Sequence, residues 1–191
     1  MFLSHLLRPW HWLRRIRHRC GYGIHSPFAF SFVTGVVYEA WPYYAYAPLR
    51  RRWPVLPAGL RRKDAQLLFR LANFCHPRGL QCPDAEGLEA AVAYLQAACP
   101  HAALSLAAEP NGSDMVVCLQ PWDDCAARLL ESLPTGGMLV LHRIHTTQRR
   151  SAAWQRLLHM PQAQIAFDLR DFGIILHLPH MQRAHYVINY F

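Results

Sequence analysis

The chain has 191 residues, of which 52% are hydrophobic and 17% charged. This excludes a disordered chain and fits one domain with a sizeable core plus an extension. The net charge of +8 is unevenly placed. Residues 1–63 carry eleven Arg or Lys against the single acid Glu39, a net of +10, whereas residues 64–191 carry nine Arg against eleven acids, a net of −2.

The longest apolar runs are short, such as "GIIL" at 173–176, and predict no membrane-crossing helix. The first twenty residues hold five arginines and no unbroken apolar stretch, unlike a standard secretory signal. The six cysteines, at 20, 75, 82, 99, 118 and 125, form no CxxC pair. Free thiols in a reducing cytosol are the expectation, with no metal site built from them.

In chain order, residues 2–19 place Leu3, Leu6, Leu7, Trp10, Leu13 and Ile16 at helical spacing, with the arginines largely elsewhere. Such a helix packs its stripe on the domain, lies in a membrane interface, or serves as a nucleic-acid arm. Gly21 and Gly23 form a joint. Ser26-Pro27 reads as a helix start, with Ser as N-cap and Pro at the first helical position, and the helix runs to about Tyr38.

Residues 41–63 hold four prolines and six basic residues, and read as a linker or a short helix around 46–53. Arginines interleaved with aromatics there form either a solvated face beside an aromatic cluster or a surface for stacking bases. A nucleic acid or an anionic membrane at the inner face of the cell would be met by Arg14, Arg15, Arg17, Arg50, Arg51 and Arg52.

From Asp64 the pattern becomes regular. Helices are expected at 64–75, 85–98, 122–133 and 148–159. Strands are expected at 79–82, 103–107, 114–119, 137–142 and 163–168, with a closing strand pair at 172–178 and 184–190. Short strands alternating with helices indicate parallel βαβ units, and the closing pair indicates an antiparallel edge. Residues 1–63 thus read as a basic helical extension and linker, and residues 64–191 as an α/β domain.

Four segments carry a resemblance: "GIHSPFAFSFVTGVVYE" (23–39), "QLLFRLANFCHPRGL" (66–80), the run from "GGMLVLHRIH" to "DFGIIL" (136–176), and "AHYVINYF" (184–191). Together they resemble a Bacteroidetes-type family of bacterial class I S-adenosylmethionine-dependent methyltransferases related to O-methyltransferases. The resemblance implies a Rossmann-like, doubly wound, mostly parallel sheet with helices on both faces and an antiparallel C-terminal strand. It implies S-adenosylmethionine as the cofactor.

The family's loop after the first strand, roughly E-x-G-T-S-x-G, is matched here by "QCPDAEG". Cys82 replaces a glycine, Pro83 removes a donor, and only Gly87 remains. Asp84 and Glu86 are the acids left to reach the cofactor's ammonium. Glu109, in "SLAAEP", falls where the family's ribose-binding acid stands.

Between Glu109 and "DMVVCL" the chain lacks tens of residues that would supply a sheet edge and an adenine wall. Gln120 stands in place of the family's fourth-strand Asp. His142 and Arg143 stand in place of the fifth-strand acids. No hard-oxygen site for a divalent cation is expected from these residues. His142 and His145 are the remaining candidates for a general base, and by default they are a solvent-facing pair.

Three functional readings follow. The first is a shortened, degenerate methyltransferase-like protein, with a role as a partner or scaffold subunit. The second is an active methyltransferase with a histidine base. The third is an interaction module tethered by its basic third.

Overall fold

The structure, a computed structural model, describes residues 24–57, 59–83, 85–119 and 121–190. Arg14, Arg15, Arg17, Asp84 and Gln120 lie outside the described residues, as does the helix expected at 2–19.

Helix α1 (Pro27–Phe32) starts as the Ser26-Pro27 dipeptide predicts: Ser26 is extended and its hydroxyl accepts from the Ala29 N–H at 3.3 Å. It widens into one π-helical turn, Val33–Val37. Helix α2 (Tyr46–Arg52) follows. Helix α3 (Arg62–Cys75) is opened by a reciprocal cap. The Asp64 carboxylate accepts from the Arg61 N–H at 2.9 Å and from its guanidinium at 2.7 and 2.8 Å. It ends at His76 in the left-handed conformation.

The remaining elements alternate: β1 (Gly79–Gln81), α4 (Glu89–Ala98), β2 (Ala103–Ser105), β3 (Met115–Cys118), α5 (Ala126–Glu131), β4 (Met138–His142), α6 (Gln148–Leu158), β5 (Ile165–Asp168), β6 (Phe172–Leu176) and β7 (Ala184–Val187). The seven strands form one sheet in the order β2-β1-β3-β4-β6-β5-β7.

Side chains alternate across this sheet, so each strand feeds two cores. Met115, Val117, Met138, Val140, Phe167 and Ile174 share one core with α1, α3 and α4. Val116, Cys118, Leu139, Leu141, Ala166 and Ile175 share the other with Trp122, Leu129, Leu130, Trp154 and Leu157 from the α5 and α6 side. Residues 27–37, which the sequence places in the extension, thus pack in the main core through Ala29, Phe32, Val33, Val36 and Val37. Phe74, near the end of α3, is 41% exposed and meets Phe32 edge-on at 5.1 Å.

Strands β2, β1, β3 and β4 are parallel. The expected antiparallel C-terminal strand takes a different place. Residues 172–176 do not pair with 184–187. Strand β6 lies inside the sheet, antiparallel to both β4 and β5, and the last strand, β7, joins β5 in parallel at the edge.

The reason is loop length. A turn of three residues, Leu169 to Asp171, with Arg170 at φ 71°, allows only an antiparallel return from β5 to β6. Strand β6 then ends with Leu176 opposite Ile165, where β5 begins. The chain needs only to step past that end to start β7 alongside β5.

Candidate functional site

Strand β1 leads through α4 to one side of the sheet and β3 leads through α5 to the other, so the winding reverses between β1 and β3. In open α/β sheets ligands enter the crevice outside the carboxyl ends of the strands at this point.

The end of β1 is occupied by Gln81, a buried polar residue with 1% exposure. Its amide nitrogen donates to the Ala107 carbonyl at 2.8 Å and to the Glu109 carbonyl at 2.7 Å. Both donors of the amide are therefore spent on fastening the loop after β2. The next residue, Cys82, is buried in the core, and burial pushes its thiol up to about 12. The thiol is protonated at neutral pH and not poised as a nucleophile.

Gly87 has a φ of +72°, and a Cβ there would meet no atom within 4 Å. Its glycine identity serves the turn, not a close approach to another group. The Gly87 N–H donates to the Glu89 carboxylate at 3.1 Å. Glu86 and Glu89 line an open groove of about 630 Å³ together with Trp53, Val92 and Leu106. Glu109 turns its carboxylate outward to Arg128 at 2.8 Å, in an ion pair exposed on both sides and worth little by itself.

At the end of β4 the two histidines part. His142, expected beside His145 at the surface, is buried. It is the last residue of a central strand, its ring lies 4.8 Å from that of Phe172, and a Cβ on Gly59 would sit 3.9 Å from it. The segment before α3 thus crosses this strand end. It is held there by Arg61, which binds Asp64 and also Asp171 at 2.8 Å. Burial, with the nearby Arg143 charge, lowers the His142 imidazole to about 4 against the opposing pull of Asp64 and Asp171. His142 is neutral at pH 7 and closed to a substrate.

His145 has the geometry that His142 lacks. Its Nε2 lies 2.7 Å from the Asp168 carboxylate and its Nδ1 lies 3.2 Å from the Ser151 hydroxyl. The Asp168 side chain is buried and also accepts from the Arg170 N–H at 2.8 Å. A carboxylate on Nε2 selects the tautomer that leaves Nδ1 as an acceptor. The linked groups join the loop after β4, the first turn of α6 and the end of β5. They orient His145 and tie α6 to the sheet.

Sequence reasoning named His145 but missed Asp168 and Ser151, because the contacts span 23 and 6 residues. It also missed Gln81, whose signal was a polar residue closing an apolar strand. Among the described residues no group of three or more His, Cys, Asp or Glu is arranged to hold a metal ion, and no helix is long and apolar enough to cross a membrane.

The fold and these strand ends define an α/β protein with a mixed, mostly parallel seven-stranded sheet, an arrangement compatible with a Rossmann-like fold. In comparisons with known proteins, no family model and no curated sequence matches the chain.

Proposed function

We propose that the chain is a class I methyltransferase-like protein that has lost its S-adenosylmethionine site and does not turn over. The observation that carries this reading is the Gln81 amide, buried at the reversal of the sheet and committed to two main-chain carbonyls. A nucleotide-type cofactor needs free backbone or side-chain donors at that strand end. Here Gln81 has none left, Pro83 has no N–H, and Cys82 is packed into the core. These residues do not fit the group.

The short edge strand β2, paired only with β1, supports the same reading, since the stretch missing after Glu109 is the one that would extend this edge. The segment at 59–61 lying over the end of β4 supports it further.

The test is calorimetric titration of the full chain with S-adenosylmethionine and with S-adenosylhomocysteine. No heat of binding is expected up to millimolar ligand. Low-micromolar binding that disappears in Glu109→Ala would overturn the reading. One specific observation favours the active alternative, namely the Asp168–His145 pair. If binding is found, His145 and not His142 is the base to remove, because His142 is enclosed.

A further inference from the structure

Another recess lies between the segment that follows the π-helical turn, α2 and α3. It measures about 350 Å³, at the small end of ligand-sized cavities, which run from roughly 300 to 1,000 Å³. Its walls are aromatic, with Trp41, Tyr43 and Tyr46, and its polar groups are Glu39, Gln66, Arg50, Arg62 and Arg70. Tyr43 and Tyr46 are fixed from behind by Phe69, with ring centroids 4.9 and 5.2 Å away. Trp41 is 78% exposed at the rim, and Tyr44 beside it is 86% exposed.

The last turn of α2 presents Arg50, Arg51 and Arg52, all exposed. None of the three forms an ion pair with a carboxylate among the described residues. Arg52 rests on the Trp53 ring at 5.2 Å.

We infer that this face binds single-stranded nucleic acid, one base entering the aromatic recess and the strand's phosphates following Arg50 to Arg52. Flat aromatic walls suit a base, whose π-face stacks whatever its identity. Glu39, the only acid among residues 1–63, lines the recess together with Arg50, Arg62 and Arg70. Its carboxylate accepts from the Tyr43 hydroxyl at 3.0 Å and has capacity left to accept from an exocyclic amine or ring N–H of a base. Arg62 and Arg70 donate to main-chain carbonyls, so the phosphates fall to the exposed Arg50, Arg51 and Arg52.

The recess is concave, with aromatic walls and a carboxylate in its lining, which suits a flat base better than the headgroups of an anionic bilayer. Tyr44, Arg51 and Arg52 are exposed outside the lining of the recess, which matches a strand and not a single mononucleotide. The inference does not depend on the state of the cofactor cleft.

Fluorescence anisotropy of a labelled single-stranded RNA 12-mer of mixed sequence with the full chain tests it. Trp41→Ala is expected to weaken binding roughly 10-fold, within the range of about 5- to 100-fold for loss of one stacked base. Replacing Arg50, Arg51 and Arg52 together by alanine is expected to reduce the steepness of log K against log salt by about 2, at ~0.7 per phosphate contact on a single strand. All four side chains are exposed, so an unchanged melting curve confirms that the variants fold.

The inference is overturned if both variants bind like the parent chain, or if a blunt duplex of the same length binds equally well. It is also overturned if a nucleoside monophosphate binds as tightly as the 12-mer. Sedimentation with phosphatidylglycerol vesicles in the absence of RNA binding would overturn it in favour of a membrane.

Discussion

Replacing Gly173 with alanine is expected to lower the free energy of unfolding by about 3 kcal/mol, the upper end of the cost of overpacking a core. Gly173 lies in β6, opposite Leu141 of β4 and Asp168 of β5. A Cβ there would sit 2.6 Å from Cζ3 of the Trp154 indole and 2.9 Å from two further ring atoms. The indole is fully buried on α6 and packed in the core beneath that helix, so neither partner has room to give. The gain of about 0.5–1 kcal/mol from replacing a glycine in a strand is too small to offset the clash.

A double-mutant cycle separates this contact from a general effect on the strand. In a Trp154→Leu background the same glycine substitution is expected to cost under about 1 kcal/mol, a coupling well above the scatter of independent sites. Urea unfolding of the four proteins measures it. Additive losses would show that the close packing of β6 on α6 is not what requires glycine. The contact matters to the site as well, because α6 carries Ser151 and β5 carries Asp168, the two residues that hold His145.

The second large effect is a loss of stability in mild acid caused by His142. Its imidazole titrates near 4 in the folded chain, against an ordinary value of 6.5. The unfolded chain therefore binds the proton first as pH falls. Stability from this residue is fully present above about pH 6.5, declines through the interval, and is gone by about pH 4. The total is about 3 kcal/mol, at 1.36 kcal/mol for each unit of difference. Unfolding free energies of the parent chain and His142→Leu, measured from pH 7.5 to 4, isolate the effect as a difference. The parent is expected to lose more stability than the variant as pH falls. A difference that stays constant with pH would mean that His142 is open to water in the folded protein.

The alternation of helices and strands was legible because local periodicity encodes it. Three- and four-residue apolar spacing marked α3 and α6, and short apolar runs between turn residues marked β3 and β4. Cap chemistry was equally local, as Ser26-Pro27 at the start of α1 shows. Residue pairs brought together by the sheet were not legible. Nothing in the apolar run 172–176 tells which strands flank it, and the pattern suited a hairpin with 184–190 as well as the interior position that β6 takes between β4 and β5.

The candidate site divides in the same way. Sequence by itself determined that the loop after β1 is poor in glycine, that acids are missing from the ends of β3 and β4, and that basic residues gather in the first third. Each of these is a property of residue identity along the chain. Only the tertiary structure decided that Gln81 spends its amide on the loop after β2, that His142 is enclosed while His145 is held by Asp168, and that Glu39 lies within an aromatic recess beside Arg50. Hydrogen bonding and burial depend on which distant segments meet, and that is set by sheet order and loop length. Two histidines three positions apart differ because one ends a covered central strand and the other stands in the loop beyond it.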